Sequence, residues 1–315
     1  GVITDLLSVA ESGEKLKSVN VISVSGGKDS TAMWLLALER ETENLEVIFA
    51  DVGHEHPKTY EYIEYLEERL GKVRRVKSDF TEQIERKRKV VQTKWREEGV
   101  PENIIDDALE VLKPTGIPFL DLCLWKGRFP SSRARFCTQE LKVRPIFDQV
   151  YMPLLEQNKH VVSWQGIRAD ESSSRAKMTE REETPEGFEI YRPILKWSVY
   201  DVFNMHEKYG IEPNPLYKQG MNRVGCMPCI NSNKEEIYEI ARRYPEEIER
   251  VKEWEEIVSK ASKQGSATFF TSDERGHGID EIVEWSKTTR GGKAYDLTKL
   301  LEPVPICSSQ YGLCE

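Results

Sequence analysis

No run of apolar residues in this 315-residue sequence approaches the roughly 18 that a membrane-crossing helix needs; the longest are strand-sized. A basic excess is missing too. With 45 Lys+Arg against 54 Asp+Glu the formal charge is −9, which excludes a protein that coats nucleic acid indiscriminately, because neutralising phosphates takes surplus cations. A local basic surface is still compatible with that total. No basic-then-apolar leader opens the chain, so a cytoplasmic location is the expectation. Internal repeats and low-complexity tracts are absent. Cysteines are few, six in all; without an export signal, such thiols serve more often as metal ligands or nucleophiles than as disulfides. What is present, 38% hydrophobic and 31% charged residues, suffices for one large or two modest globular domains.

Strands and helices alternate along the first two thirds. Residues 20–24 form a β-branched run that breaks at Ser25-Gly26-Gly27, and a helical pattern follows through Ala32, Met33, Leu35, Leu36 and Leu38. A second strand over Leu45–Ala50 ends at Asp51, a helix is expected over 60–70, and a weaker strand over 72–76. Residues 81–113 are charged and helical in pattern. The basic run Arg86-Lys-Arg-Lys89 in their middle reads first as a solvated helix face and second as a phosphate-contacting surface. Further extended segments are expected at 160–164 and 189–194, and a helix at 199–209. This order predicts an α/β fold with a parallel sheet and ligands at the strand C-termini. After Pro213 and Pro215 the pattern turns helical, with Pro245 starting the second of two helices. The expected division is 1–215 for a nucleotide domain and 216–315 for a smaller, mainly helical, cysteine-bearing part.

Ser25-Gly26-Gly27-Lys28-Asp29-Ser30-Thr31, set between a strand and a helix, is the strongest local signal. Two glycines let backbone N–H groups approach an anion, and the helix N-terminus adds a favourable dipole. Ser25, Ser30 and Thr31 add hydroxyls, Lys28 a positive charge, and Asp29 a carboxylate for Mg²⁺. An ordinary βα turn accounts for two glycines but not for the whole run. It is not a Walker A loop: Ile22 stands where that motif needs its first glycine, and Asp29 where it needs Ser or Thr.

The run resembles the SGGxDS signature of the PP-loop ATP pyrophosphatases, in the branch that holds phosphoadenosine-phosphosulfate (PAPS) reductases, the small subunit of ATP sulfurylase and the DNA phosphorothioation sulfurtransferases. Three further segments are similar to that branch in the same order. They are Asp51-Val-Gly-His-Glu-His-Pro-Lys-Thr59, Arg135-Phe-Cys-Thr-Gln-Glu-Leu-Lys142 with Pro145 following, and Gly166-Ile-Arg-Ala-Asp-Glu-Ser-Ser-Ser-Arg175. The resemblance implies a PP-loop nucleotide domain in which residues 25–31 hold the pyrophosphate of ATP. Asp51 would lie near adenine and ribose, while Gly166, Arg168 and Arg175 belong to the segment that closes on the phosphates. Guanidinium forks suit that task; the competing role for both arginines is surface pairing with Asp170 or Glu171.

Three activities compete within the resemblance. PAPS reductases lack the intact SGGxDS and end in a Glu-Cys-Gly-x-x-His tail, whereas here the loop is intact and the tail reads Tyr311-Gly-Leu-Cys314-Glu315. Sulfate adenylylation fits the loop but gives the cysteines no purpose. ATP-dependent sulfur transfer to a nucleic-acid acceptor, with a cysteine desulfurase as sulfur donor, fits both and is the favoured reading. A module that senses ATP without turnover is the fourth alternative. Neither the acceptor (DNA, tRNA or a small molecule) nor an oligomeric state is legible. Residues 86–89 and 290–293 are the basic clues.

Cys226-Met-Pro-Cys229 is a half-site for zinc or an iron–sulfur cluster, and Cys307 and Cys314 form a second pair. The resemblance favours a [4Fe–4S] cluster on Cys226, Cys229, Cys307 and Cys314, with zinc as the alternative. Cys137 has two open roles. It replaces Cys307 or Cys314 as a ligand, or it is the catalytic thiol that carries sulfur, activated by Arg135 or Lys142; catalysis is otherwise expected of Lys28 and Asp29. Cys123 reads as a buried apolar residue, and His54 and His56 as structural or nucleotide-proximal rather than a metal pair.

Overall fold

The computed structural model describes residues 18–270 and 275–288. Its centre is a six-stranded sheet in the order β3-β2-β1-β4-β6-β5, made of β1 Val19–Ser23, β2 Leu45–Ala50, β3 Arg74–Val76, β4 Val161–Trp164, β5 Arg181–Glu183 and β6 Glu189–Tyr191. All neighbours run parallel except β5, which pairs antiparallel with β6. The expected parallel α/β architecture is thus the one the chain adopts, with one antiparallel edge strand that its charged Arg-Glu-Glu sequence concealed.

Side-chain alternation explains the layering. Successive strand residues point to opposite faces. Ile22, Val47, Phe49, Val162 and Trp164 therefore face one helical layer, formed by α1 Lys28–Glu39, α2 Pro57–Leu70 and α7 Val199–Lys208. Their neighbours Val21, Ile48, Ala50 and Val161 face the other side, onto the helix α6 over residues 136–156. With both faces covered, β1, β2 and β4 are largely apolar, interrupted only by Asn20, Ser23, Glu46 and Ser163, as buried parallel strands tend to be.

The α6 helix alternates α-turns Phe136–Thr138, Arg144–Ile146 and Met152–Glu156 with π-turns Gln139–Val143 and Phe147–Tyr151. Pro145 and Pro153 sit just after the widened turns. A proline lacks the N–H for the i→i−4 bond and its ring crowds the carbonyl four residues back, and widening the preceding turn makes room for it. The sequence pattern did not announce this helix, nor α5 Pro118–Lys126.

A third core joins α3 Thr81–Glu97, α4 Glu102–Val111 and α5 to the helices beyond residue 215, namely α8 Lys234–Arg243, α9 Pro245–Ala261 and α10 Ile279–Ser286. Among the described residues no helix is long and apolar enough to cross a membrane.

Candidate functional site

Strand order reverses its direction of growth at β1, which pairs with β2 on one side and β4 on the other. The loops leaving the C-terminal ends of β1 and β4 face each other across that switch point, where open α/β sheets bind ligands. Residues 25–31 leave β1, and residues 165–175 leave β4. They touch: a side chain on Gly166 would meet the Ser30 backbone nitrogen at 3.4 Å.

Within the first loop, Gly26 has φ +83°, and a Cβ there would stand 2.9 Å from Thr59 Cγ2. Only glycine takes that left-handed, crowded position without strain. The loop is also internally tied. The Gly27 N–H donates to Ser25 Oγ and the Thr31 hydroxyl to Gly27 O. Two residues from beyond the second loop brace it. Asn214 Nδ2 donates to Gly26 O at 3.2 Å and to Thr59 Oγ1 at 3.3 Å, while the Tyr217 hydroxyl accepts from the Lys28 N–H at 2.9 Å. Neither was singled out from sequence; their signal is the Pro-Asn-Pro turn that opens this short segment.

Asp29, expected as a Mg²⁺ ligand, is fully buried. Its Oδ1 accepts from Arg168 Nε at 2.8 Å and its Oδ2 lies 3.5 Å from Lys28 Nζ. In this arrangement Asp29 positions the two cations through Oδ1 and Oδ2, and its buried Oδ2, which has no hydrogen-bond partner among the described residues, is the oxygen left to meet a magnesium ion. Arg168 and Arg175 are both buried and both pair with Glu171. The anticipated Glu171 pairing therefore exists, but inside the loop and not at the surface. Lys28 and Arg168 thus meet at Asp29 beside the helix N-terminus, and Arg175 joins Arg168 on Glu171; cations at a helix N-terminus suit a polyphosphate. Asp51 follows β2 and accepts from the Gly53 N–H and the Tyr60 hydroxyl.

The CxxC turn docks on the segment after β2. Glu55 and Cys226 form an isolated antiparallel bridge, and the Met227 N–H donates to His54 O. His54 Nε2 lies 2.7 Å from Pro228 O. A carbonyl only accepts, so Nε2 carries the proton and Nδ1 accepts from Arg250 Nη2 at 3.2 Å. Burial, reinforced by the Arg250 charge, lowers the His54 pKa to about 3, so the ring is neutral. His56 caps α2 by accepting from the Lys58 N–H. Both histidines are structural, as anticipated.

Beside the loop lies a cavity of about 90 Å³ lined by Ser25, Glu55, Cys137, Lys142, Cys226 and Cys229, with Arg135 and Arg223 among its other walls. Burial pushes the Cys226 thiol well above its ordinary value and raises Cys137 as well. Burial works against the Lys142 ammonium, yet the neighbouring Cys226, Glu55, Cys137 and Cys229 charges outweigh it and raise its pKa. Glu55 is raised to about 7, first by burial and then by Asp51, against the pull of Lys142. Glu55 and Lys142 stood inside the quoted motifs, but nothing in the sequence revealed that they meet. Cys123 is buried and apolar in setting, as expected.

The donor chemistry of this cavity fits a thiolate-bound metal group in kind. Among the described residues, no three His, Cys, Asp or Glu side chains are grouped closely enough to hold an ion. Cys307 and Cys314, the other half of the expected ligand set, and the basic residues 290–293 lie outside the described residues.

Comparison with known proteins follows the same residues. The family model described as phosphoadenosine phosphosulfate reductase domain matches residues 19–232. A protein of Escherichia phage 186, described as an uncharacterized 37.8 kDa protein in the gpa 5′ region, is 50% identical over 326 residues, covering 95% of this chain and 97% of that one. Adenosine 5′-phosphosulfate reductase of Allochromatium vinosum is 35% identical over 68 residues, 21% of this chain and 27% of the reductase. The crystal structure of phosphoadenylyl-sulfate (PAPS) reductase from Candida auris in a phosphate complex superposes with a TM-score of 0.39 at 16% identity, covering 71% of this chain and 88% of that one.

Proposed function

This chain belongs to the phosphoadenosine phosphosulfate reductase domain family, and from that premise we propose that it is an ATP pyrophosphatase that adenylates a nucleic-acid acceptor and passes sulfur to it. One observation carries the reading: Ser25 of the nucleotide loop also lines the cavity that holds Cys137, Cys226 and Cys229. A phosphate-activating loop and a set of thiols are therefore contiguous, as a two-step transfer requires.

In the first step an acceptor oxygen attacks the α-phosphorus of ATP, the bond to the β-phosphate oxygen breaks, and pyrophosphate leaves with its electrons. The Lys28 ammonium, on a loop braced by Tyr217 and Asn214, opposes the charge that develops on it. Mg²⁺ would share that task. In the second step the outer sulfur of a Cys137 persulfide displaces AMP, which departs with the acceptor oxygen and leaves an acceptor–S–S–Cys137 bond; a thiol reductant then attacks the Cys137 sulfur, the acceptor's sulfur leaves as a thiolate, and a second thiol equivalent frees Cys137. Lys142 favours the Cys137 thiolate against the burial that raises its pKa. A cysteine desulfurase would supply the sulfur. Cys226 and Cys229, with Cys307 and Cys314, would hold a [4Fe–4S] cluster, with zinc the alternative on the same thiols; when bound, the group supplies a thiolate-ligated centre beside the loop. The likeness to adenosine 5′-phosphosulfate reductase favours sulfonucleotide reduction as a second reading, and the intact Ser25–Thr31 run weighs against it.

Lys28→Ala should lower pyrophosphate release from ATP by about 10²-fold, the usual cost of removing one charge that stabilises the transition state. Cys137→Ser should retain pyrophosphate release and lose sulfur incorporation. Undiminished pyrophosphate release by the lysine variant would refute the assignment of the loop.

A further inference from the structure

We propose that the stretch 122–139, with Lys87 packed beside it, is a track for the phosphates of a nucleic-acid strand on its way into the cysteine cavity; the proposal rests on the acceptor reading above. These eighteen residues contain no Asp or Glu, in a chain where 54 of 315 side chains are acidic. They contain Lys126, Arg128, Arg133 and Arg135. Arg128 and Arg133 are exposed, the other two half-buried. Among the described residues none of the four pairs with a carboxylate, whereas Arg242 and Arg243 pair with Glu239.

The cations converge. Lys126 Nζ lies 4.2 Å from the Trp125 ring centre and 5.6 Å from that of Phe136, and the Arg128 guanidinium lies 5.4 Å from Phe136. Lys87 Nζ approaches from α3, 3.9 Å from where a Gly127 side chain would begin. Burial lowers the Lys87 pKa, and the nearby Lys263 and Lys126 lower it further, the mark of like charges gathered together. At the other end, a turn closed by reciprocal backbone bonds between Ser131 and Ala134 is fixed to Arg135, whose Nε donates to Ser132 O. Arg135 lines the cavity beside Cys137.

Uncompensated cations held together repel one another, and a polyanion relieves that repulsion. The nucleotide loop has its own cations in Lys28 and Arg168, both on Asp29. Arginine forks suit phosphodiesters, and the net charge of −9 disfavours a strand elsewhere on the molecule. Lys126 and Arg128 sit against the Trp125 and Phe136 rings, and contacts from such cations to phosphates read backbone and are indifferent to sequence.

The test uses the full chain and a short fluorescein-labelled single-stranded DNA of mixed sequence, titrated by anisotropy at several KCl concentrations. The triple variant Lys126→Gln/Arg128→Gln/Arg133→Gln should bind more weakly, with a log K against log salt slope shallower by about 2, at roughly 0.7 for each single-strand phosphate that is no longer neutralised. The control triple Arg69→Gln/Lys72→Gln/Arg242→Gln should match the parent. Superimposable titrations for track variant and parent, or an equal weakening in the control, overturn the track; so does polyglutamate competing as well per charge as DNA, which would indicate an acidic protein partner. Pyrophosphate release measured alongside separates the two claims. Binding without any release by the parent defeats the enzymatic reading and leaves the track standing, and release with an unaltered salt slope in the triple variant defeats the track alone.

Discussion

Asp29 and His206 show how burial rewrites the meaning of a side chain. In the sequence Asp29 is an available carboxylate; in the fold it is enclosed and holds Arg168 against the loop. His206 carries no sequence signal, yet it lies buried on α7, its Nδ1–H donating to Val202 O at 2.8 Å while Nε2 has no partner. Burial lowers its pKa from 6.5. The folded ring stays neutral while the unfolded chain protonates near 6.5, so below that pH the unfolded state binds more protons. The stability from this residue is complete above pH 6.5 and is lost as the pH falls below it. His206→Leu removes the contribution, and its Tm, followed by calorimetry across that pH, should fall less on acidification than the parent's. Parallel Tm curves would show that the ring is not held neutral by the fold.

Among the elements, those with strong periodicity were legible and those shaped by neighbours were not. The strand over Leu45–Ala50 and the helix break at Pro245 are where the pattern puts them. The α6 helix escaped notice because two prolines signal interruption, and only the π-turns before them reconcile proline with a continuing helix. The loop, Gly166 and the arginines were legible as motif residues, whereas the Glu55–Lys142 meeting and the Asn214 and Tyr217 braces depend on contacts more than 80 residues apart in the chain. The CxxC turn is the clearest such case. Arg250 of α9 donates to both His54 Nδ1 and Met227 O, so one side chain clamps the turn to the segment after β2. Arg250→Met keeps apolar contact with Trp254 but removes those donors. It should cost about 1–3 kcal/mol, the range for leaving buried partners unsatisfied, and should speed alkylation of Cys229. A variant with unchanged Tm and thiol reactivity would show that the turn holds itself.

For the whole molecule, the decisive fact is that one hydrophobic core runs through α3, α4, α5 and the helices beyond residue 215, bringing Cys226 and Cys229 to the cavity that Cys137 enters from α6. The proposed metal centre is a claim at this scale, since its remaining ligands would come from the C-terminal residues. Protein purified without oxygen should contain iron and acid-labile sulfide in equal amounts and lose both in Cys226→Ser. Retention in Cys137→Ser would leave that thiol free to carry sulfur, and loss would make it a ligand. Zinc without sulfide would replace the cluster with the alternative ion.

The sequence by itself determined the alternation of strand and helix, the Ser25–Thr31 glycine loop and the residue types around it, because these depend on local periodicity, glycine's freedom at φ +83° and spacing within a few residues. Tertiary structure alone decided that Asp29 faces Arg168, that Ser25 shares a cavity with three thiols, and that Lys87 joins the acid-free stretch. Those outcomes follow from which surfaces are buried together, and burial sets charge state and pairing by removing water, a property that no stretch of chain possesses before it is packed.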